Sequence, residues 1–413
     1  MASRSRSNGD GSIFFKESHN SWCAQISTGM KKGKYTRKTI YGKTQLEVRE
    51  KMNKIKAKVE LQAYVAPDKI KLNTWLLEWL DTYKRNNVKK STYTTYRYYI
   101  EHELIPNLGD IQIQKLNSFQ IQQYLNLLIL RLKSNSIKKI YLVLHASLKQ
   151  AVIIDLIVKS PCLGVTIPKD KTNPSIPSSA FTLEQQKLII QYANLSRAKN
   201  EILLALYTGM RVGEIISLYV SDIDFKNKTI NVNKNCLSYT DFDAEVGSKN
   251  KNEISTTKTN SSTRMVPFIS DKVEEVLRDQ LQVIEDNKRK FGKCYKKNSQ
   301  LLFANEKGEL KSTAVVSACF NRLCETINEI ENKNIKPTSK KYVKVFDKHN
   351  FHMIRHTFAT RCLEAGMNIK VVSKLLGHSK IQLTLDIYSH VLEQFQDEEI
   401  SKVTDYFKDN ELF

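Results

Sequence analysis

The sequence predicts a multidomain, mainly α-helical protein with small β elements. Leu, Ile and aromatic residues recur at helical spacing over long stretches, while strand-like alternation is confined to two regions. Three of the eight prolines, Pro168, Pro174 and Pro177, fall in one polar stretch that separates two helical regions. A chain of 413 residues that is 41% hydrophobic can bury two or three separate cores.

Charge narrows the partners. A formal net charge of +22 calls for a polyanion, with nucleic acid first and an anionic membrane surface second. No apolar run approaches the roughly 20 residues needed to cross a bilayer, and the start MASRSRSNGDG has no signal-peptide core. A cytoplasmic protein is expected. Seven scattered cysteines without a C-x-x-C pair suit reduced thiols in cores, not disulfides or a cysteine zinc site. There is no repeat, P-loop or G-x-G-x-x-G, so nucleotide-driven chemistry has no support.

Residues 1–66 form the first expected domain. Runs from Ser12 to Lys16, Ser21 to Thr28 and Tyr35 to Tyr41 alternate between Gly and Asn turns, and a charged helix follows: a three-stranded sheet with one packed helix. Residues 1–67 hold 14 Lys or Arg against 5 Asp or Glu. Lys31, Lys32, Lys34, Arg37 and Lys38 are candidate nucleic-acid contacts on this sheet; the alternative is a solvated basic face.

Residues 67–168 have helical periods throughout (KLNTWLLEWLDTYKRN, STYTTYRYYIEHELIPNLG, SFQIQQYLNLLILRL, NSIKKIYLVLHASLKQAVIIDLI), with Pro106 and Gly109 read as punctuating a turn. Lys89, Lys90 and Arg97, beside Tyr93, Tyr96, Tyr98 and Tyr99, could meet a phosphate backbone, although half of those tyrosines are expected in the core. Residues 169–179 are a semi-extended linker. Thr182 with Gln185 then makes a capping box that opens a helix. The domain 180–397 is mainly helical around one β region: KTINVNKNC, a long polar turn, ISTTKT and TRMVPFI. The acidic amphipathic tail 398–413 either caps its own domain or packs onto a second subunit.

Chemistry concentrates in residues 349–390. His352 and Arg355 stand three apart on a helix expected over His349 to Ala365, so they share a face. Gly366 ends that helix; a second, Asn368 to Leu376, stops at Gly377 with His378 in the turn after it, and Tyr388 comes ten residues later. His349, His352 and His356 offer zinc-binding nitrogens, but nothing completes a ligand set, so no metal is expected. Earlier, TGMRVGE presents Arg211 to an anion and Glu214 one turn on; alone, it reads more readily as a surface Arg–Glu pair.

Together these residues resemble the tyrosine recombinase (phage integrase) family over nearly the whole chain. TGMRVGE is similar to its first arginine block, HMIRHTFAT to its His-x-x-Arg helix, LLGHS to its later histidine and TLDIYSHV to its nucleophilic tyrosine, in the family's order. The resemblance implies a helical core-binding domain at 67–168 and a mixed α/β catalytic domain at 180–397. Residues 1–66 resemble the arm-type DNA-binding domain of integrases from conjugative transposons and other integrative elements. It implies catalytic roles for Arg211, Lys258, His352, Arg355, His378 and Tyr388, with Glu214 supporting. Lys258 in TTKTNSSTRMVPF fits the family's hairpin lysine best, but the insertion at 238–253 brings Lys249 and Lys251 as competitors, and is either a DNA contact or a disordered surface loop.

The resemblance further implies double-stranded attachment-site DNA of core and arm types as substrate, a homotetramer on that DNA, an excisionase as a possible partner, no cofactor and no membrane. In a bacterial cytoplasm the protein would sit at the nucleoid. The expected activity is integration and excision of a mobile element through a 3′-phosphotyrosyl intermediate. Rival readings are a Xer-like chromosome-dimer resolvase, against which the basic N-terminal module speaks, and a DNA-binding regulator with an idle site.

Overall fold

The computed structural model describes residues 12–31, 34–60, 70–170, 180–242, 250–256, 263–333, 335, 339, 342–347, 349–378, 381, 382, 384 and 385. The chain divides into two units, Met1–Thr172 and Asn173–Phe413.

The first unit opens with an antiparallel sheet of β1 (Ser12–Lys16), β2 (Ser21–Lys31) and β3 (Lys34–Gly42), ordered β1-β2-β3. Asn20, at a φ of 43°, makes the first turn. Alternation puts Ala24, Ile26 and Ile40 on one face, where Val48 and Met52 of α1 (Gln45–Glu60) cover them. The opposite face keeps Phe14 and Tyr41 exposed, while Phe15, on the covered face, meets the Trp22 ring edge-on at 5.6 Å between centroids.

A separate helical core comprises α2 (Leu72–Trp79), α3 (Lys90–Tyr99), α4 (Ile105–Leu108), α5 (Ser118–Leu128) and α6 (Ser134–Ile153). Trp75, Leu76, Trp79, Leu125, Leu144 and Leu148 fill it, each fully buried apolar side chain worth roughly 1.5–3 kcal/mol. Pro106 is not a turn, as its residue type suggested. It lies in the first turn of α4, directly after a π-helical turn over Ile100–Leu104. Proline lacks the N–H for the helical ladder, and the wider π turn before it removes the clash with the preceding carbonyl. Tyr93, Tyr96 and Tyr99 pack against the core and only Tyr98 is exposed, one fewer than expected.

The second unit contains α7 (Leu183–Tyr192), α8 (Lys199–Thr208), α9 (Val212–Ile215), α10 (Asp271–Phe291), α11 (Thr313–Glu331), α12 (Phe351–Glu364) and α13 (Ile369–Leu376). The Thr182–Gln185 capping box is present. The β region is two structures, not one. β4 (Ile223–Asp224), β5 (Thr229–Val232) and β8 (Arg264–Pro267) form a sheet ordered β4-β5-β8, while β6 (Lys234–Thr240) and β7 (Asn250–Thr256) pair as a separate hairpin. Its register runs unbroken from Lys234↔Thr256 to Thr240↔Asn250. Much of the expected polar turn is thus ladder, because alternating Asn, Ser, Tyr and Thr suit a two-sided polar hairpin that has no apolar period to reveal it.

Candidate active site

The second unit brings together residues scattered from 209 to 384. Helix α8 ends at Gly209, whose φ of 64° favours glycine, and a Cβ there would stand 2.4 Å from the Phe358 ring. The chain therefore turns tightly against α12 and delivers Arg211 to the N-cap of α9. The Arg211 backbone N–H donates to Glu214 Oε2 at 2.9 Å, and its guanidinium donates to Oε1 at 2.8 Å. Glu214 is only 2% exposed, so this is no surface pair. Burial would push its carboxyl pKa up, but hydrogen bonds from Arg264 and the charges of Arg264 and Arg211 outweigh it and hold it below its ordinary value.

Helix α12 begins at Phe351 with Asn350 as N-cap, two residues later than the sequence suggested, which leaves His349 outside it. Phe351 and Met353 through Thr360 are buried, and only His352 in that run is exposed. Arg355, one turn on, is 2% exposed. It donates from Nη1 to the Gly209 carbonyl at 2.9 Å and from Nη2 to the Leu376 carbonyl at 2.5 Å. These are C-terminal carbonyls of α8 and α13, the negative ends of both helices, so the guanidinium ties the Arg211 turn to the His378 turn.

Gly377, at a φ of 67°, caps α13 and sets His378 in the following position. The His378 N–H donates to the Ser373 carbonyl at 3.1 Å, and its Nδ1 lies 2.8 Å from the hydroxyl of Thr384, a fully buried side chain. Burial, then Arg355 and Arg211, push the His378 pKa down to about 4. His356, whose ring meets that of His352 edge-on at 4.7 Å between centroids, is likewise pushed to about 4 by burial, His352 and Arg355. The His352 pKa is lowered by desolvation, Arg355 and Arg211. At neutral pH, His356 and His378 are therefore neutral beside two guanidiniums.

Arg211, His352 and Arg355 line a cleft of about 450 Å³ whose other polar walls include Asn235, Ser317 and Asn321. Two guanidiniums and one imidazole around an open volume suit an anion with exchangeable protons nearby. Among the described residues, no group of three or more His, Cys, Asp or Glu could hold a metal ion.

Lys258, Lys249 and Tyr388, like Lys32 and the tail 398–413, lie outside the described residues. Lys251 is exposed on β7, opposite Tyr239. On the N-terminal sheet Lys31 and Lys34 face each other in register, Arg37 is exposed, and Lys38 pairs with Ile26. Lys89 is the N-cap of α3, Lys90 is exposed in its first turn, and Arg97 is ion-paired to Glu101 at 2.7 Å. Sequence reasoning overlooked Arg264 and Thr384. Arg264 carries a legible signal: in RMVP the strand alternation buries Arg264 with Val266, and a charge at an inward position demands a partner.

Comparison with known proteins gives the class to which this fold belongs, a DNA strand-transfer enzyme. The chain belongs to the phage integrase family, whose pattern matches residues 180–394; the family's N-terminal SAM-like domain matches residues 71–129. It is a tyrosine recombinase. The XerC-like tyrosine recombinase of Caldanaerobacter subterraneus subsp. tengcongensis is 31% identical over 91% of this chain and 93% of its own. The transposase from transposon Tn916 of Enterococcus faecalis is 26% identical, over 74% of this chain and 71% of its own. In fold, the chain resembles the Tn1549 transposon integrase solved with transposon right end DNA, with TM-score 0.62, 22% identity and coverage of 81% and 99%. It also resembles a lambda integrase tetramer bound to a Holliday junction, with TM-score 0.54, 18% identity and coverage of 89% and 95%. No helix among the described residues is long and apolar enough to cross a membrane.

Proposed function

We propose that this recombinase is the integrase of a mobile genetic element, acting on attachment-site DNA in a bacterial cytoplasm and assembling there as a homotetramer. The observation that carries the site assignment is that Arg211 and His378 follow two helix C-termini that Arg355, one turn from His352 on α12, ties together. A phosphodiester resists attack because it is anionic and its alkoxide leaves poorly, so a site must supply cations, a nucleophile and a proton donor.

In the proposed reaction the Tyr388 phenol, ordinarily of pKa about 10, attacks phosphorus while neutral His352 takes its proton. The P–O5′ bond breaks, and Lys258 gives a proton to the departing 5′ oxygen. Arg211 and Arg355 meet the non-bridging oxygens. A neutral His378 that accepts from the Thr384 hydroxyl at Nδ1 carries its own hydrogen at Nε2, as a donor to the same phosphate. The new 3′-phosphotyrosyl bond conserves the phosphodiester's energy, so a second 5′ hydroxyl reverses the step on another strand without nucleotide. Arm-type DNA is assigned to residues 1–66, core-type DNA to 67–168 together with 180–397, and trans packing to the tail 398–413. An excisionase would bias direction.

The test is recombination in vitro between two duplexes carrying the element's own attachment sites, with no nucleotide or metal added. Wild type yields hybrid products and Arg355→Gln does not. Site-specific binding without any recombination would instead support a regulator. The XerC-like relative favours one second reading, chromosome-dimer resolution, in which removing residues 1–66 leaves recombination intact.

A further inference from the structure

Glu214 has two cationic partners, not one. On its outer side is Arg211, whose side chain is 36% exposed and lines the cleft; on its inner side is Arg264, 4% exposed. Arg264 donates from Nη2 to Glu214 Oε2 at 2.9 Å, from Nη1 to Oε1 at 3.2 Å, and from Nε to the Leu375 carbonyl at 2.5 Å. Gly377 packs so closely that a Cβ on it would stand 3.0 Å from Arg264 Nη1. One buried side chain thus joins β8, the carboxylate beneath Arg211, and the last turn of α13 that presents His378.

The charges give this arrangement a purpose. Arg211 with Glu214 alone is a neutral pair, and a phosphate approaching it would feel a dipole. With Arg264 behind it the triad carries one net positive charge, and the only exposed member is Arg211. Resting on the recombinase assignment, we propose that Arg264 is a positioning residue for DNA cleavage: it cancels Glu214 so that Arg211 stays cationic toward the phosphate, and it pins the turn that carries His378. Its guanidinium never touches substrate.

The test compares wild type, Arg264→Lys, Arg264→Met, Glu214→Gln and the Glu214→Gln/Arg264→Met double variant, all as full-length chains. Single-turnover cleavage of nicked attachment-site duplexes is read beside affinity for the same DNA. Arg264→Met should bind within threefold of wild type yet cleave about 100-fold slower, the order expected for ångström-scale misplacement of catalytic groups. Arg264→Lys, which keeps the charge but not the fork, should recover about tenfold of that loss. The double variant should cleave faster than Arg264→Met, because no carboxylate remains to neutralise Arg211. Cleavage by Arg264→Met within twofold of wild type, or a double variant slower than it, overturns the proposal. Thermal unfolding of the same set separates this from the recombinase assignment: coupling between Glu214→Gln and Arg264→Met should appear in Tm even if wild type fails to cleave. Additive Tm shifts would refute the buried pair whatever the activity.

Discussion

At the scale of single residues, the site depends on groups whose ordinary protonation the fold has changed. His356 and His378 fall from 6.5 to about 4. The unfolded chain takes up protons on these rings below its ordinary value while the folded chain does not, so stability must fall as pH drops from about 6.5 toward 4. His356→Asn should flatten that part of a Tm-against-pH curve; an unchanged slope would contradict the assignment. The Glu214 pKa is lowered too, so its stability is present above a carboxylate's ordinary value and is lost only in stronger acid than that which affects the histidines. Its loss should still be costly at pH 7. Glu214→Gln leaves Arg264 buried without a counter-charge, and urea unfolding should show a deficit of about 3–5 kcal/mol. A deficit below about 1 kcal/mol would mean that the inner guanidinium is not committed to Glu214.

Whole elements act here through their ends. Arg355 and Arg264 both donate to carbonyls in the last turn of α13, and Arg355 also to the end of α8, so helix lengths and caps set the positions of the groups proposed to be catalytic. Gly209→Ala should therefore be worse than its size suggests. It combines a φ of 64° with a 2.4 Å approach to Phe358, and a loss of at least about 1–3 kcal/mol in thermal unfolding is expected, together with slower cleavage. Elements were legible in the sequence where one periodic signal dominated: the capping box at Thr182, the strands around Trp22, and the glycines that end α12 and α13. They were obscured where two signals competed. Pro106 signals a break, and the π turn that accommodates it has no signature of its own; the β6–β7 hairpin is polar on both faces and so resembles loop. His352, Arg355 and His378 could be read from motif spacing, whereas Arg264 required knowing that its strand faces inward and what it would find there.

For the whole molecule, charge and modular order govern behaviour. With a net charge of +22, DNA binding should weaken by about 10³-fold or more between roughly 50 and 200 mM salt if six or more phosphates are neutralised. A loss under tenfold would show that the excess charge serves another purpose. Deleting residues 1–66 should abolish recombination on substrates that need arm sites while leaving cleavage of isolated core duplexes within about tenfold, measured side by side; unimpaired recombination would favour the resolvase reading. The family and its fold rest on the chain at large, but the proposed chemistry rests on one tyrosine. The most direct measurement is to trap the full-length protein on a nicked attachment-site duplex without nucleotide or metal, digest the SDS-resistant adduct, and identify the peptide that carries the nucleotide. The account predicts a 3′-phosphate ester on Tyr388 in wild type and no adduct from Tyr388→Phe. A nucleotide on any other residue, or an adduct that survives in Tyr388→Phe, would contradict it.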